Sequence, residues 1–441
     1  MSVSEPVESA REAATLLRDA DPTLYRLLAR ERVRQSETLV LVAASSLAFP
    51  AVLACAGSDL TNLTAEGFPG ARYHAGCGIA DEVEQLAVDR ACSVFGAQDA
   101  VVQPHSGSSA NLSVLTALLD PGDVLMGLDL DCGGHLTHGS PASLTGRLFR
   151  SVGYRVGADG YIDFAQVRAI ALESRPRVLI CGASAYPRTI DFLRFREIAD
   201  EAGAILVADI SHIAGLVAAG LHPSPVDVAH VVTTSTYKQL YGPRGGLILL
   251  GRDAGQPSPR GGTWSQLMHR AVFPLTQGTP DLAGVAAKAS ALGFVGGADF
   301  PELAKRLLAD AAALGAGLRR RGLTLVTRGT DNHMVLVDLR PWGISGDVCE
   351  EALESCGIVV NRNRVPGDAT PARVTSGLRF GTNTIAARGM GPAEANLCAD
   401  LVADVLDSVR ATSGPTAELR AAVRDRVSAL CSSWPLAGCL G

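Results

Sequence analysis

Lys238 lies in the run His230-Val-Val-Thr-Thr-Ser-Thr-Tyr-Lys-Gln-Leu-Tyr-Gly-Pro-Arg-Gly-Gly246, where an apolar, β-branched stretch leads into hydroxyl residues and a Gly-rich turn. A lysine delivered in this way is a candidate imine-former. Desolvation and nearby positive charge lower an amine's pKa and free it to attack an aldehyde. Asp209 closes the run Ala204-Ile-Leu-Val-Ala, with His212 and Gly215 just beyond. A carboxylate at a strand's C-terminal end sits where α/β sheets bind ligands. Facing a pyridine nitrogen, it would keep that nitrogen protonated, so that the ring can absorb carbanion charge. A helix N-cap is the plain alternative for Asp209.

Gln103-Pro-His-Ser-Gly-Ser-Ser-Ala-Asn111 precedes the helical-looking Leu112-Ser-Val-Leu-Thr-Ala-Leu-Leu. Free N–H groups and the positive end of the helix dipole there suit a phosphate monoester, with Ser106 and Ser108 adding hydroxyls; an ordinary capped helix fits as well. In Gly133-Gly-His-Leu-Thr-His138, His135 could stack on a ring face or be structural. The His-x-x-His spacing invites a metal reading, but no third ligand is near in sequence, and no metal is expected. Arg379, amid Thr375-Ser-Gly-Leu-Arg-Phe-Gly-Thr382, suits a bidentate grip on a carboxylate or a surface ion pair. Glu66, among the turn residues of Asn62–Tyr73, is a proton donor if buried and a solvated carboxylate if not.

These groups need a scaffold. Val178-Leu-Ile-Cys-Gly, Ala204-Ile-Leu-Val-Ala and Gly246-Leu-Ile-Leu-Leu read as strands buried on both faces of a parallel sheet, with a helix over Phe195–Gly203 between the first two. Three units are expected: an N-terminal helical arm over 1–39 (apolar positions Ala14, Leu16, Leu17, Leu24, Leu27 and Leu28), a large α/β domain over 40–290, and a smaller α+β domain over 291–441. The last has helices at 303–322 and 394–411, strands at Leu323-Thr-Leu-Val-Thr and Met334-Val-Leu-Val-Asp, and a terminal helix with a loose end beyond about 412. With 441 residues and 47% hydrophobic content the chain can bury a large core.

A net charge of −6 without a basic run argues against nucleic acid and anionic membranes. The opening Met1-Ser-Val-Ser-Glu-Pro-Val-Glu lacks a signal pattern, and no apolar stretch is long enough to span a bilayer, so a cytoplasmic protein is expected. The ten cysteines, Cys439 the last of them, form no Cys-x-x-Cys pair and read as small buried hydrophobes.

Taken together, these stretches resemble serine hydroxymethyltransferase, a pyridoxal 5'-phosphate (PLP) enzyme of the aspartate-aminotransferase fold. The likeness runs from about residue 24 to 411. It is dense in Ala65-Glu-Gly-Phe-Pro-Gly-Ala-Arg-Tyr, Gly133-Gly-His-Leu-Thr-His-Gly-Ser-Pro, Gly182-Ala-Ser-Ala-Tyr-Pro-Arg and Val374-Thr-Ser-Gly-Leu-Arg-Phe-Gly-Thr. The resemblance implies an α/β protein of PLP fold type I, with a mostly parallel seven-stranded sheet in the large domain. It also implies roles. Lys238 matches the lysine that binds PLP, Asp209 the pyridine-nitrogen partner and His135 the ring-stacking residue. Ser184 and His212 match contacts to the cofactor's 3-oxygen. Ser106, Gly107 and Ser108 match the phosphate loop, completed by Gly278 of a partner subunit. Arg379 matches the substrate-carboxylate grip. Glu66 and Tyr73 match residues that cross a dimer interface, so a homodimer or tetramer with shared sites is implied.

The sequence also departs from the family pattern. Thr64 and His74 replace tyrosines, Tyr237 replaces a histidine, and Ala44-Ser45-Ser46 replaces Ser-Glu-Asn. Gly367 and Arg373 replace an Asn and a Phe, the Asn being a contact to the folate pterin, and Gly278-Thr279 replaces Gly-Gly. Two lost pterin hydrogen bonds would weaken folate binding by roughly one or two orders of magnitude. Tyr237 is no base at neutral pH, yet it can cover the lysine or donate a hydrogen bond. His74 could hold a substrate carboxylate or relay a proton. On these departures the expected function is PLP-dependent Cα–Cβ cleavage and formation on β-hydroxy-α-amino acids, as an aldolase or threonine transaldolase. Tetrahydrofolate-dependent serine, glycine or alanine hydroxymethyl transfer is the alternative, and a non-catalytic paralogue the third.

Overall fold

The computed structural model describes residues 15–436. Residues 1–14, with Ala14, and 437–441, with Cys439 and the chain end, lie outside the described residues.

A seven-stranded sheet organises the larger part of the chain. Its strands are β1 (Asp99–Val101), β2 (Val124–Leu128), β3 (Arg150–Tyr154), β4 (Val178–Cys181), β5 (Ile205–Asp209), β6 (Val231–Ser235) and β7 (Gly246–Leu250), in the spatial order β1-β7-β6-β5-β4-β2-β3. Only β7 runs against its neighbours. The central strands are buried at nearly every position because helices cover both faces. Val178 and Ile180 face one core while Leu179 and Cys181 face the other, and the same alternation sorts Leu247 and Leu249 from Ile248 and Leu250.

Because β1 to β6 share one direction and β7 is reversed, the C-terminal ends of the six and the start of β7 lie along one edge. This is where open α/β sheets place their ligands. Helix α1 (Pro22–Glu37) is capped by the Asp21 side chain and buries no residue against the other described residues; Leu24, Leu27 and Leu28 are all exposed. Helix α2 (Gly107–Leu118) begins directly beyond β1, and α3 (Phe192–Ala202) ends on the left-handed Gly203, as its glycine stop predicts.

A second sheet of β8 (Thr324–Leu325), β9 (Met334–Asp338), β10 (Asn361–Asn363) and β11 (Gly377–Gly381) is antiparallel throughout, in the order β8-β9-β11-β10. The strand expected over Leu323–Thr327 is cut short: Thr327 adopts φ 60°, and Val326–Arg328 forms a helical turn instead. Leu39 and Leu41 pack into the core of this second sheet, where the Leu39–Val40 strand pairs with Ile358–Val359. Helix α4 (Leu282–Val295) backs the large sheet. Helix α5 (Phe300–Arg320) gives Phe300 and Leu307 to the large-sheet core but Leu314 and Leu318 to the small-sheet core. Two more helices, α6 (Pro392–Thr412) and α7 (Ala417–Ser433), complete the C-terminal part. Among the described residues, no helix is long and apolar enough to cross a membrane, and nine cysteines carry free thiols.

Candidate active site

The sheet edge gathers Asp209 from the end of β5, Ser235 and Lys238 from β6 and its exit, and Ser184 from the turn after β4. His135 and His138 come from the loop after β2, and Arg379 from β11 of the small sheet. Asp209 is buried, and its Oδ2 lies 2.8 Å from Asn111 Nδ2 and 3.0 Å from His138 Nε2. Oδ1 accepts from the Ser211 N–H at 3.0 Å. Burial alone would raise this carboxyl's pKa, but the hydrogen bond and charge of His138 outweigh it and hold the group well below the usual carboxylate range. An ionised carboxylate only accepts, so the His138 Nε2 carries the hydrogen. Asn111 is itself fixed, donating to Thr137 Oγ1 at 2.8 Å and accepting from Thr233 Oγ1 at 2.5 Å.

Lys238 is 5% exposed, and no described residue hydrogen-bonds its Nζ. Burial pulls its pKa down to about 8, with Arg379 and Arg244 pushing the same way and Asp209 opposing. The Tyr237 ring has two basic groups near it, with Arg244 Cζ 4.3 Å and Lys238 Nζ 5.8 Å from its centroid. Arg379 donates from Nε to Asn361 Oδ1 at 3.2 Å and from Nη1 to the Ser184 carbonyl. It has no carboxylate partner among the described residues, and burial lowers its pKa to about 10, which leaves a desolvated cation at neutral pH. His135 is pushed down to about 4 by burial and by the neighbouring His138, so its ring is neutral at neutral pH; Nδ1 lies 2.7 Å from Thr137 Oγ1.

Ser106 caps α2 in a reciprocal box with Ser109. That box leaves the Gly107 and Ser108 N–H groups without a partner among the described residues. A Cβ at Gly107 would stand 3.1 Å from Ser235 Cβ and 3.2 Å from Ser211 Oγ, so glycine lets the helix start close against β6. Two buried polar atoms nearby, Ser235 Oγ and His212 Nδ1, have no hydrogen-bond partner among the described residues. His212 stacks on His333 at 5.8 Å, and burial holds its pKa well below the ordinary histidine value.

These groups fit pyridoxal phosphate. The edge offers free N–H groups at a helix start, an unpaired lysine amine, an ionised carboxylate with fixed aim, and buried donors lacking partners. By distance alone, the ligand atoms of His135, His138 and Asp209 lie within 4.8 Å of one another and could hold a metal. The hydrogen bonds weigh against this use, since the His138 Nε2 hydrogen points at Asp209 and His135 Nδ1 is engaged by Thr137.

Glu66, Tyr73, His74 and Gly278 form a separate group. Glu66 Oε1 lies 3.3 Å from the position a Cβ would take at Gly278. Tyr73 is 76% exposed, resting on Phe273 at 5.6 Å, and His74 is exposed. Among the described residues, no hydrogen bond, ion pair or ring contact joins this group to Lys238 or Asp209. The Thr279 departure is absorbed by a contact of its own, because Thr279 Oγ1 accepts from the Ala65 N–H at 2.8 Å beside Glu66. Gly367 and Arg373 are exposed.

Sequence reasoning overlooked Asn111, Thr233 and the hydrogen-bonding part played by His138. The available signal was an amide inside a helix at a position that the apolar periodicity assigns to the core.

The serine hydroxymethyltransferase family model matches residues 17–402. The chain is 48% identical to a serine hydroxymethyltransferase of Rhizorhabdus wittichii over 95% of its length and 94% of that protein. It is 46% identical to one of Sphingopyxis alaskensis over 99% of this chain and 98% of the other. To one of Synechococcus sp. it is 47% identical over 98% and 99%.

Proposed function

The chain belongs to the serine hydroxymethyltransferase family, and from that premise we propose that it moves a hydroxymethyl carbon between serine and glycine, with tetrahydrofolate carrying the carbon. The names of the near full-length relatives favour this over the transaldolase reading of the sequence. The observation that carries it is the buried pair Lys238 and Arg379: one amine without a hydrogen bond, and one guanidinium without a carboxylate.

When bound, pyridoxal phosphate supplies an electron-accepting ring conjugated to the substrate amine. Ser106, Gly107 and Ser108 would hold its phosphate, with Gly278 of the partner subunit. Ser184 and His212 would meet its 3-oxygen, and Lys238 its aldehyde. Asp209 keeps a proton on the pyridine nitrogen, and His138 and Asn111 fix the direction of that carboxylate. His135 presents a neutral ring, which does not repel a protonated pyridine. Arg379 grips the substrate carboxylate in a desolvated pocket, where charge-assisted hydrogen bonds are strongest. Glu66 holds or accepts the proton at the substrate β-oxygen, while Tyr73 and His74 border the substrate.

The working unit is at least a homodimer. Glu66, Tyr73 and Gly278 lie together with no contact to Lys238 among the described residues, which also leave Leu24, Leu27 and Leu28 of α1 exposed.

A second reading, folate-free cleavage or transaldol transfer, is favoured by Tyr237 and by Gly367 in place of a pterin contact. One experiment separates the two. The holoenzyme is given serine with and without tetrahydrofolate, and threonine with a panel of aldehydes. Serine turnover that requires tetrahydrofolate supports hydroxymethyl transfer. Fast folate-independent acetaldehyde release from threonine, with little serine turnover, overturns it in favour of the second.

A further inference from the structure

Helix α4 directs Lys288 inward to a position only 3% exposed. Its Nζ donates to three main-chain carbonyls, Val102 at 2.6 Å, Pro104 at 2.9 Å and Gly246 at 3.2 Å. An ammonium has three hydrogens, and all three are used. No carboxylate pairs with it among the described residues. Val102 and Pro104 lie on the exit from β1 that leads to Ser106. Gly246 opens β7, the strand that returns from Lys238 through Pro243-Arg244-Gly245. The two segments also meet directly, through the Gly246 N–H and the Pro104 carbonyl at 2.9 Å. A Cβ at Gly245 would overlap Lys288 Cε, so the absence of a side chain there makes room for the lysine.

The rest of the inner face of α4 is apolar, with Leu282, Val285, Ala289 and Leu292 all buried. An apolar side chain would serve helix packing at that position without burying a charge, which is unfavourable when no counter-charge accompanies it. The ammonium does what an apolar side chain cannot, drawing together carbonyls from the two segments that carry the phosphate loop and the reactive amine.

We propose that Lys288 is a positioning residue, fixing the Ser106–Ser108 loop at a set distance from Lys238. The proposal rests on the reading that Lys238 binds the aldehyde of pyridoxal phosphate while this loop binds its phosphate. A displaced loop would lose the phosphate contacts and leave the amine as reactive as before.

The test compares two aldehydes. Apo-protein is titrated with pyridoxal 5'-phosphate and, separately, with pyridoxal, following the visible absorbance of the lysine adduct; apo-protein melting is recorded alongside. Lys288→Met is expected to bind the phosphorylated aldehyde about tenfold or more weakly, while its affinity for pyridoxal stays within about twofold of wild type. Gly245→Ala displaces the lysine without removing its charge and is expected to show the same phosphate-specific loss. If both variants keep the wild-type ratio of the two affinities, the role is overturned, whatever their melting temperatures. If the wild-type protein itself does not prefer the phosphorylated aldehyde, the phosphate loop falls and the role of Lys288 falls with it.

Discussion

His138 Nε2 stands 3.0 Å from Asp209 Oδ2, the oxygen that also accepts from Asn111 at 2.8 Å. Two donors on one oxygen lock the carboxylate's rotation and favour its charged form. Removing the Asn111 donor leaves His138 to hold the charge but frees the carboxylate's aim. Asn111→Leu additionally strands the Thr233 hydroxyl. At saturating cofactor, Asn111→Leu is expected to lower kcat by about 10- to 100-fold, the value of one charge-assisted hydrogen bond, with a smaller change in KM. Steady-state kinetics check this. An unchanged kcat would show that the carboxylate's aim does not matter.

Lys238 attacks as the free amine, so its reactivity increases as its proton is lost. Burial and two guanidinium neighbours bring its pKa to about 8. The rate of adduct formation with pyridoxal phosphate should therefore rise with pH and level off above about 8. An ordinary lysine would keep climbing toward 10.5. Stopped-flow absorbance over a pH series checks this, and Lys238→Ala should form no such adduct.

Arg379 offers two in-plane donors to a substrate carboxylate, whereas lysine offers a point charge. Arg379→Lys is expected to raise KM for serine by about 10- to 100-fold. Competition by ethanolamine, which lacks the carboxylate, should hardly change. Equal losses for both compounds would mean that Arg379 only shapes the pocket.

Asp310 on α5 is fully buried, and neither of its oxygens has a hydrogen-bond partner among the described residues. Burial raises its pKa from 3.8 to about 7, against the pull of Arg306. The folded state therefore holds this proton more tightly than the unfolded chain. The associated stability is fully present below about pH 4 and is lost as pH rises through 7, by roughly 2–4 kcal/mol. Asp310→Asn should flatten that decline. Urea unfolding of both proteins across this pH range measures it.

In the proposed dimer, Glu66 of one chain serves the Lys238 site of the other. Co-expression of Glu66→Gln with Lys238→Ala should restore activity to about a quarter of wild type, since about half of randomly assorted dimers carry one intact site. Each variant alone should be nearly inactive. No recovery in the mixture would place both residues in the same chain's site.

The local chemistry was legible in the sequence because it is local. Lys238 follows a β-branched strand, Asp209 closes another and Ser106 opens a helix, and each is read from its immediate neighbours. The continuous apolar runs likewise announced strands covered on both faces. Tertiary structure decided what meets across long separations. It brought Asn111 to Asp209, 98 residues away, and Lys288 to Val102, 186 residues away. It set Glu66 against Gly278 and shortened the strand at Thr324–Leu325. A residue's own neighbours in the chain set its backbone preference. Which carbonyl or carboxylate a buried donor meets is settled only when the sheet's strand order and the helix packing are in place.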